Sequence, residues 1–379
     1  MSTSPQPPSN PPHRTRWSSE DCIRIFVMFP LVIFVIGFTC SDYFSDHSPQ
    51  HSAAPIVSDV FRFPERFVWE YELVERDLKV YIYQDRDPGA YFQSPRKLTG
   101  KYGSEGYFFK NIKESRFLTT DPLHARLFFI PISWHQMRTL RTPYENMTVI
   151  VEKYVERLIS KYPYWNRTQG ADHFFVICHD NGVEVAEGVP LLKKNPIRLV
   201  CPASYDSYYT SYKDISLPQV NQPFSPATVN RTKSGFWGSI PNFEIIAAIQ
   251  SNLTDSAEGY LLYHDKVHRT KFCICLPGFP DYTNLIADSI RYGCVPVIFS
   301  SYLNYTFNDI LDWHKFSIIL AEDHYLIKDT LRGIRAADFT GLQKNLLKVQ
   351  KHFQWNSPPL RFDAFNMVMF DLWQHSSEV

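Results

Sequence analysis

Two polar residues, His179 and Asp180, directly follow the apolar run His173-Phe-Phe-Val-Ile-Cys178, which has the composition of a buried strand. At the carboxyl end of such a strand, an imidazole or a carboxylate can take a proton from a hydroxyl group as a general base. We therefore nominate His179 and Asp180 as candidate catalytic residues. The competing interpretation is a turn closed by Asn181-Gly182, in which Asp180 only caps backbone N–H groups.

A second candidate site lies where the run Phe272-Cys-Ile-Cys-Leu276 meets Gly278 and the start of a helix that Thr283 can cap. Free N–H groups and the positive end of the helix dipole can hold a diphosphate at such a junction. The segment has neither a GxGxxG pattern nor a P-loop, which excludes those two kinds of nucleotide site. A helix start with one glycine is also common for structural reasons alone, and both interpretations stay open.

Candidate metal ligands are few. Asp85-Arg86-Asp87 has the form of a metal-binding DxD motif, but the Pro88-Gly89 that follows favours an ordinary turn. Cys273 and Cys275 lack the spacing and the second cluster of a zinc site. No HExxH motif or nucleophile elbow is present, and His135 is only a weaker candidate base. We expect neither a metal nor a cofactor.

Alternating strand and helix patterns must position these residues. Apolar runs predict strands at 79–83, 127–132, 173–178, 197–201, 272–276, 295–299 and 317–320. Apolar residues at helical spacing from Met147 to Ile159 predict a helix that ends before Pro163, and a second helix runs from Thr283 to Gly293. Helices around 342–353 and 365–373 close the chain. Near-continuous apolar strands joined by helices predict parallel sheets, whose ligands gather at the carboxyl ends of the strands.

Length and composition limit the class of protein. The chain has 379 residues, with 39 Lys and Arg against 39 Asp and Glu. Its 44% hydrophobic and 16% aromatic content excludes a disordered chain, and the zero net charge argues against binding nucleic acid through bulk electrostatics. The length favours two domains, and we place their boundary in the turn-rich stretch 214–240.

The N-terminal region predicts a membrane anchor. Residues 23–40 form an apolar run whose only charge is Arg24, and a helix of that length spans about 27 Å, close to the hydrocarbon thickness of a bilayer. Arg14 and Arg16 precede the run and Asp42 follows it, which places the later residues in the lumen. We predict a cytoplasmic tail at 1–22, a signal-anchor at 23–40 and a stem at 41–76. A cleaved signal peptide and a buried helix are the alternatives.

Glycosylation sequons and cysteines agree with a luminal location. All the sequons lie after the apolar run, at Asn146, Asn166, Asn230, Asn252 and Asn304. Of the seven cysteines, Cys22 and Cys40 flank the run, and the remaining ones are Cys178, Cys201, Cys273, Cys275 and Cys294. An odd number implies at least one free thiol or an intermolecular bridge, and the pairing stays open.

Longer motifs resemble those of a known family. The clearest block comprises Lys271-Phe-Cys-Ile-Cys-Leu276, Ala287-Asp-Ser-Ile290, Tyr292-Gly-Cys-Val-Pro-Val-Ile298 and Phe307-Asn-Asp-Ile-Leu-Asp-Trp313. The first half agrees, with Arg96-Lys-Leu-Thr-Gly-Lys-Tyr102, Glu105-Gly-Tyr-Phe-Phe109 and Tyr164-Trp-Asn-Arg-Thr168. Residues 79–330 thereby resemble the exostosin-like glycosyltransferases of family 47, in particular the plant Golgi branch.

The resemblance implies a fold and an activity. It implies an α/β chain with a GT-B-like pair of Rossmann-type domains facing across a cleft, behind the transmembrane helix and stem. We assign 77–215 to an N-terminal, acceptor-side domain, 216–335 to a nucleotide-sugar-side domain and 336–379 to closing helices. The implied reaction is an inverting, metal-independent transfer of a hexosyl or pentosyl group from a nucleotide sugar, with UDP as the expected nucleotide, to a cell-wall polysaccharide. Complexes with other glycosyltransferases are a further expectation.

The resemblance also assigns donor-binding residues. Gly278 and Thr283 meet the diphosphate, Asp288 holds the ribose in place of the family's more usual Glu, and Ser300 and Ser301 line the same mouth. Three positions differ from the family pattern: Leu285 stands where an arginine usually meets the diphosphate, and Pro241 and Ile246 occupy a stretch that is usually basic. The alternative function is therefore a non-catalytic subunit or glycan-binding module with a degenerate donor site.

Overall fold

The computed structural model describes residues 59–85, 90, 98–100, 102–201, 209–210, 212–220, 267, 270–275, 282–299, 305–320 and 327–377. Residues 57–379 form one compact unit. The predicted signal-anchor at 23–40 lies outside the described residues. Among those described, no helix combines the length and the apolar composition needed to cross a bilayer.

Parallel strands and helices alternate through the described part of the chain. In its first half the elements are α1 (Pro64–Asp77), β1 (Val80–Ile82), α2 (Gly103–Glu114), β2 (Leu118–Thr119), β3 (Leu127–Phe129), α3 (Trp134–Thr139), α4 (Tyr144–Lys161), β4 (His173–Ile177), α5 (Asp180–Glu187), α6 (Pro190–Lys194), β5 (Ile197–Val200) and β6 (Ile215–Ser216). In its second half they are β7 (Phe272–Ile274), α7 (Tyr282–Tyr292), β8 (Val295–Phe299), β9 (Ile318–Leu320), α8 (Ile327–Gly333), α9 (Ala336–Val349) and α10 (Ala364–Ser377). Short 3-10 turns lie at Pro163–Arg167, Trp313–Lys315 and Gln350–Phe353.

Within the described residues the strands form two parallel sheets, one in the order β2-β1-β3-β4-β5-β6 and the other in the order β7-β8-β9. The prediction of a mixed α/β chain with parallel sheets is confirmed. Strands β4 and β8 are buried along their whole length, as their unbroken apolar sequences predict. The predicted helix between β3 and β4 is α4, and Gly293 ends α7 with a φ of 69°, a conformation that glycine adopts without strain.

The structure differs from the sequence prediction in three places. Residues 64–76, assigned to the stem, lie in α1 (Pro64–Asp77), whose Phe67 stacks on Phe61 at 3.9 Å and contacts Phe370 of α10 at 5.0 Å between ring centroids. Sequence analysis did not foresee this packing, because Phe370 lies some 300 residues from Phe67 in sequence. Strand β6 lies at the predicted domain boundary and extends the first sheet. The predicted turn at 181–182 is the first turn of α5.

Both sheets share one hydrophobic core. Buried residues of β1, β3, β4 and β5 and buried residues of β7 and β8 belong to the same cluster, together with α10. Polar contacts join the two halves as well: Ser216 Oγ and Thr306 Oγ1 lie 2.9 Å apart, and Asp312 N donates to Val60 O at 2.8 Å. The carboxyl ends of the strands, where ligands of parallel sheets gather, are therefore held on a rigid base.

Candidate active site

The carboxyl end of β4 passes directly into α5 through His179. The backbone of His179 is extended, and its Nδ1 accepts a hydrogen bond from Asn181 N at 3.2 Å, so the imidazole caps the helix. The competing interpretation of the sequence gave a capping role to Asp180, whereas the structure shows His179 as the N-cap of α5. Because Nδ1 accepts, the neutral ring carries its proton on Nε2 and is a donor there. Asp180 is the first residue of α5.

A stacked tyrosine ring and the close packing of α5 position His179. The ring of Tyr102, the residue before α2, stacks on the imidazole with centroids 5.2 Å apart and an interplanar angle of 9°. Helix α5 also approaches β4 and α3 closely at Gly182, where a Cβ atom would lie 2.7 Å from Ile177 Cγ2 and 3.2 Å from Trp134 Cγ. Glycine at this position lets the helix begin directly beside the strand.

A buried carboxyl group, Glu105, lies beside the same strand end. It occupies the first turn of α2, and its side chain has no solvent exposure. Its Oε2 accepts a hydrogen bond from Cys178 N at 3.4 Å, and its Oε1 has no hydrogen-bond partner among the described residues. Burial raises the pKa of the Glu105 carboxyl to about 8, and the hydrogen bond from Cys178 offsets only part of that rise. The carboxyl is therefore mostly protonated at neutral pH.

Sequence analysis did not nominate Glu105. It lies inside the quoted block Glu105-Gly-Tyr-Phe-Phe109, where a lone acid precedes aromatic residues at helical spacing. Both Phe108 and Phe109 are fully buried, so this face of α2 points into the core. An acidic residue on the apolar face of a helix is the signal that could have found it.

A disulfide bond closes this edge of the sheet. Cys178 and Cys201 follow β4 and β5, whose last residues, Ile177 and Val200, are paired in register. The bridge ties the two strand ends together just before His179. A second bridge joins Cys273 of β7 to Cys294, the residue before β8. The cysteine pairing that the sequence left open is thus set by strand order, and Cys275 is the free thiol among the described cysteines.

The second sheet carries the other predicted residues. Thr283 lies in the first turn of α7, and Asp288 lies farther along the same helix with 9% of its surface exposed. Gly278, Ser300 and Ser301 lie outside the described residues, so the structure does not place them relative to Asp288. Leu285, where an arginine was expected, is only 2% exposed and belongs to the shared core.

Comparison with known proteins identifies the family of this chain. The chain matches the exostosin GT47 domain over residues 74–235 and 236–332, a region that contains both sheets. The chain belongs to the exostosin GT47 family. A probable glycosyltransferase of Arabidopsis thaliana is 31% identical over 329 residues, which cover 80% of this chain and 63% of that relative. A second Arabidopsis thaliana protein of the same description is 28% identical over 340 residues, with coverages of 83% and 72%.

A more distant relative, a probable glucuronosyltransferase of Oryza sativa subsp. japonica, is 23% identical over 307 residues, which cover 67% of this GT47 chain and 70% of that relative. The chain spans a little under two thirds of the length of the first Arabidopsis relative.

The Cys275 thiol, which lies beside α7 of this GT47 protein, is expected to be unreactive. Cys275 Sγ lies 3.9 Å from Ser289 Oγ, and Ser289 itself donates to Leu285 O at 2.6 Å. Burial, together with the nearby charge of Asp288, raises the pKa of the Cys275 thiol to about 12. A thiol that stays protonated is neither a nucleophile nor a metal ligand.

Asp85, the first residue of the acidic motif after β1, forms an ion pair. Asp85 Oδ2 lies 3.2 Å from Lys161 Nζ, and the rest of the motif, Arg86 and Asp87, lies outside the described residues. Among the residues described, no group of three or more His, Cys, Asp or Glu side chains could hold a metal ion.

Two of the predicted sequons lie in the described part of the chain. Asn146 in α4 and Asn166 in the following 3-10 turn are both exposed, as an acceptor for glycosylation must be. Asn230, Asn252 and Asn304 lie outside the described residues, and their accessibility stays a prediction.

Proposed function

We propose that this GT47 protein is a glycosyltransferase that moves a hexosyl or pentosyl group from a nucleotide sugar, with UDP as the expected nucleotide, to a cell-wall polysaccharide. The observation that carries the proposal is the family match across residues 74–332, which spans both parallel sheets. The names of the relatives support it, since they include a probable glycosyltransferase and a probable glucuronoxylan glucuronosyltransferase of Arabidopsis thaliana.

We infer a GT-B-like arrangement, with residues 77–215 on the acceptor side, 216–335 on the donor side and 336–379 as closing helices. Its support is the pair of parallel sheets, which follow one another along the chain. The donor diphosphate would meet Gly278 and Thr283 at the start of α7, Asp288 would hold the ribose, and Ser300 and Ser301 would line the same mouth. An eleven-residue helix such as α7 offers a dipole that favours the anion without a metal.

The transfer we propose is inverting. An acceptor hydroxyl oxygen attacks the anomeric carbon, the bond from that carbon to the diphosphate oxygen breaks, and the nucleoside diphosphate leaves with the bonding electron pair. The hydroxyl proton passes to the Asp180 carboxylate as general base. His179 orients the acceptor through its Nε2–H, because its Nδ1 is engaged in the helix cap.

The location we propose is the Golgi membrane, with residues 1–22 in the cytoplasm, 23–40 as the signal-anchor and the catalytic part in the lumen. The disulfides Cys178–Cys201 and Cys273–Cys294 support an oxidising compartment. In that setting glycosylation at Asn146 and Asn166, and complexes with other glycosyltransferases, are also part of the proposal.

A second candidate function rests on one observation. Leu285 packs into the core at a position where the family carries a cation, so α7 presents no guanidinium there. A member of this kind can bind glycans as a non-catalytic subunit of another transferase. Donor binding separates the two functions, because only the enzyme needs a nucleoside diphosphate.

The test is calorimetric titration of the full-length protein in detergent with UDP and other nucleoside diphosphates, followed by a transfer assay with EDTA present. We expect saturable binding that weakens at least tenfold in Asp288→Ala and transfer that resists EDTA. Asp309→Asn, at an exposed turn, is the matched control and should bind UDP like the wild type. Absence of nucleotide binding by folded protein at millimolar ligand would favour the non-catalytic function.

A further inference from the structure

A groove lies at the opposite edge of the first sheet from His179. It runs between α1, α10 and the turn at Asp309-Ile310, with a volume of about 430 Å³. Tyr212, one of its lining residues, precedes β6, and Ser376 at the end of α10 accepts a hydrogen bond at 3.2 Å from Arg126 Nε, one residue before β3. These contacts place the groove at the amino ends of the strands, whereas the candidate active site lies at their carboxyl ends.

Aromatic rings form the walls of the groove. Phe63 and Tyr212 line it with 64% and 81% of their surfaces exposed. Phe67 and Phe370 lie buried beneath them with ring centroids 5.0 Å apart. Exposed aromatic rings over a rigid base offer flat apolar faces at little cost in side-chain entropy.

Planar polar groups form the floor. Glu70 accepts from Arg66 Nε at 2.7 Å and from Gln374 Nε2 at 3.2 Å, so its carboxylate is held in one orientation. Asp371 Oδ1 lies 3.3 Å from His375 Nδ1. Asp309 lines the groove as well, and no cation among the described residues pairs with it. The floor thus combines oriented acceptors with amide and guanidinium donors.

The charge of the groove selects against anions. Three carboxylates, on Glu70, Asp309 and Asp371, face one guanidinium, on Arg66. Even with His375 protonated, these carboxylates outnumber the cations Arg66 and His375, so the net negative charge repels nucleoside diphosphates, phosphorylated lipids and uronic acids. A neutral ligand rich in hydroxyl groups suits the same surface, because each hydroxyl both donates and accepts. The C–H face of a sugar ring can lie against Phe63 or Tyr212.

We propose that this groove is a second saccharide-binding site, which holds a neutral segment of a polysaccharide away from the transfer site. Its volume lies within the range of about 300–1,000 Å³ common for small-molecule sites. The inference rests on the proposed function only in taking the polysaccharide to be the acceptor. Two sites on one chain raise the local concentration of a polymer at both, even when each site alone is weak.

The experiment is titration of the full-length protein, in a detergent without a sugar headgroup, with neutral xylo-, cello- and galacto-hexasaccharides. We expect one of them to bind the wild type, and Phe63→Ala and Tyr212→Ala to weaken that binding at least tenfold. Trp69→Ala is the matched control, since Trp69 lies on α1 with 63% exposure but does not line the groove. Both groove variants should bind UDP like the wild type.

Failure of this proposal is distinguishable from failure of the proposed function. If none of the neutral hexasaccharides binds, or if the two groove variants bind them as tightly as Trp69→Ala, the second site is refuted whatever the UDP result. Competition by an acidic hexauronate at equal concentration would also refute it, because the carboxylates would not be excluding anions. Saccharide binding that depends on Phe63 and Tyr212 without any UDP binding would support the groove and refute the enzyme.

Discussion

The backbone N–H of Cys178 donates a hydrogen bond to the Glu105 carboxyl over 3.4 Å, linking the first turn of α2 to the strand end that carries His179. Glu105 is fully buried, and in the described part of the chain its second oxygen has no partner. A charged carboxylate at this place would lack the solvation it has in water. The protonated form therefore fits the site.

This relationship predicts a pH dependence of stability. The pKa of Glu105 is about 8 in the folded protein and about 4.3 in the unfolded chain, so the folded state binds more protons between these values. The stabilisation is complete below about pH 4 and is lost as the pH rises through 8. Chemical denaturation of the wild type and of Glu105→Gln from pH 5 to 9 should show the wild type losing roughly 1 kcal/mol per pH unit relative to the variant.

Glu105→Gln is an isosteric, non-titrating variant, and Glu105→Ala is its contrast. The amide should keep the contact with Cys178 and any transfer activity near neutral pH, while removing the fall in stability at alkaline pH. The alanine variant should lose stability at every pH. Equal slopes of stability against pH in the wild type and Glu105→Gln would mean that Glu105 ionises normally.

Asp180→Asn should lower the turnover number by about 10²–10⁴-fold, the usual contribution of a general base, with UDP affinity unchanged. His179→Asn is the comparison, because asparagine is a good helix N-cap and keeps the start of α5. The second variant should lose less activity and mainly raise the acceptor KM. Full activity of Asp180→Asn in initial-rate assays would exclude it as the base.

Leu285→Arg should destabilise the protein by several kcal/mol and should not restore a donor contact. Leu285 is 2% exposed in the shared core, and a guanidinium at this position would be buried among apolar side chains. Leu285→Met, which conserves volume, should cost less than about 1.5 kcal/mol. Denaturant titration measures both. A stable arginine variant with tighter UDP binding would show that this position can face the donor.

The buried ion pair between Arg198 and Asp214 should show strong coupling. Arg198 Nε donates to Asp214 Oδ1 at 2.8 Å, and both side chains are almost fully buried. Asp214→Asn should cost about 3–5 kcal/mol, because Asp214 is one of the two carboxylates, with Glu187, that accept hydrogen bonds from the buried guanidinium. Adding Arg198→Met should recover part of that loss. Strictly additive free energies of unfolding in this double-mutant cycle would contradict the coupling.

Cys275 should not react with iodoacetamide in the native protein at pH 8. Its thiol is buried and its pKa is about 12, so the thiolate is scarce. The measurement uses the full chain with Cys22→Ser and Cys40→Ser, which removes the two cysteines outside the described residues. One equivalent should be modified after unfolding without reductant. Modification in the folded state, or three or more equivalents after unfolding, would contradict the assigned disulfides.

The amino-acid sequence determined α4, α7, the family and all the described strands except β2 and β6. Strands such as β4 and β8 carry near-continuous apolar residues because both faces of a parallel sheet are covered, and this pattern is local in sequence. The family motifs are also local runs of residues. The nomination of His179 and Asp180 rested on the same kind of signal, a polar pair directly after a strand.

Tertiary structure alone decided the features that depend on contacts distant in sequence. In the sequence, residues 64–76 are indistinguishable from a polar stem. Only the contacts of Phe67 and Tyr71 with Phe370 of α10, near the other end of the chain, show that this segment packs on the core. Glu105 has a raised pKa because it is buried on α2. Phe108 of the same helix contacts Phe129 of β3 and Phe365 of α10. The cysteine pairs follow from which strands are neighbours. The burial of a side chain depends on several elements that come together only when the chain folds, so it cannot be predicted from a local sequence pattern.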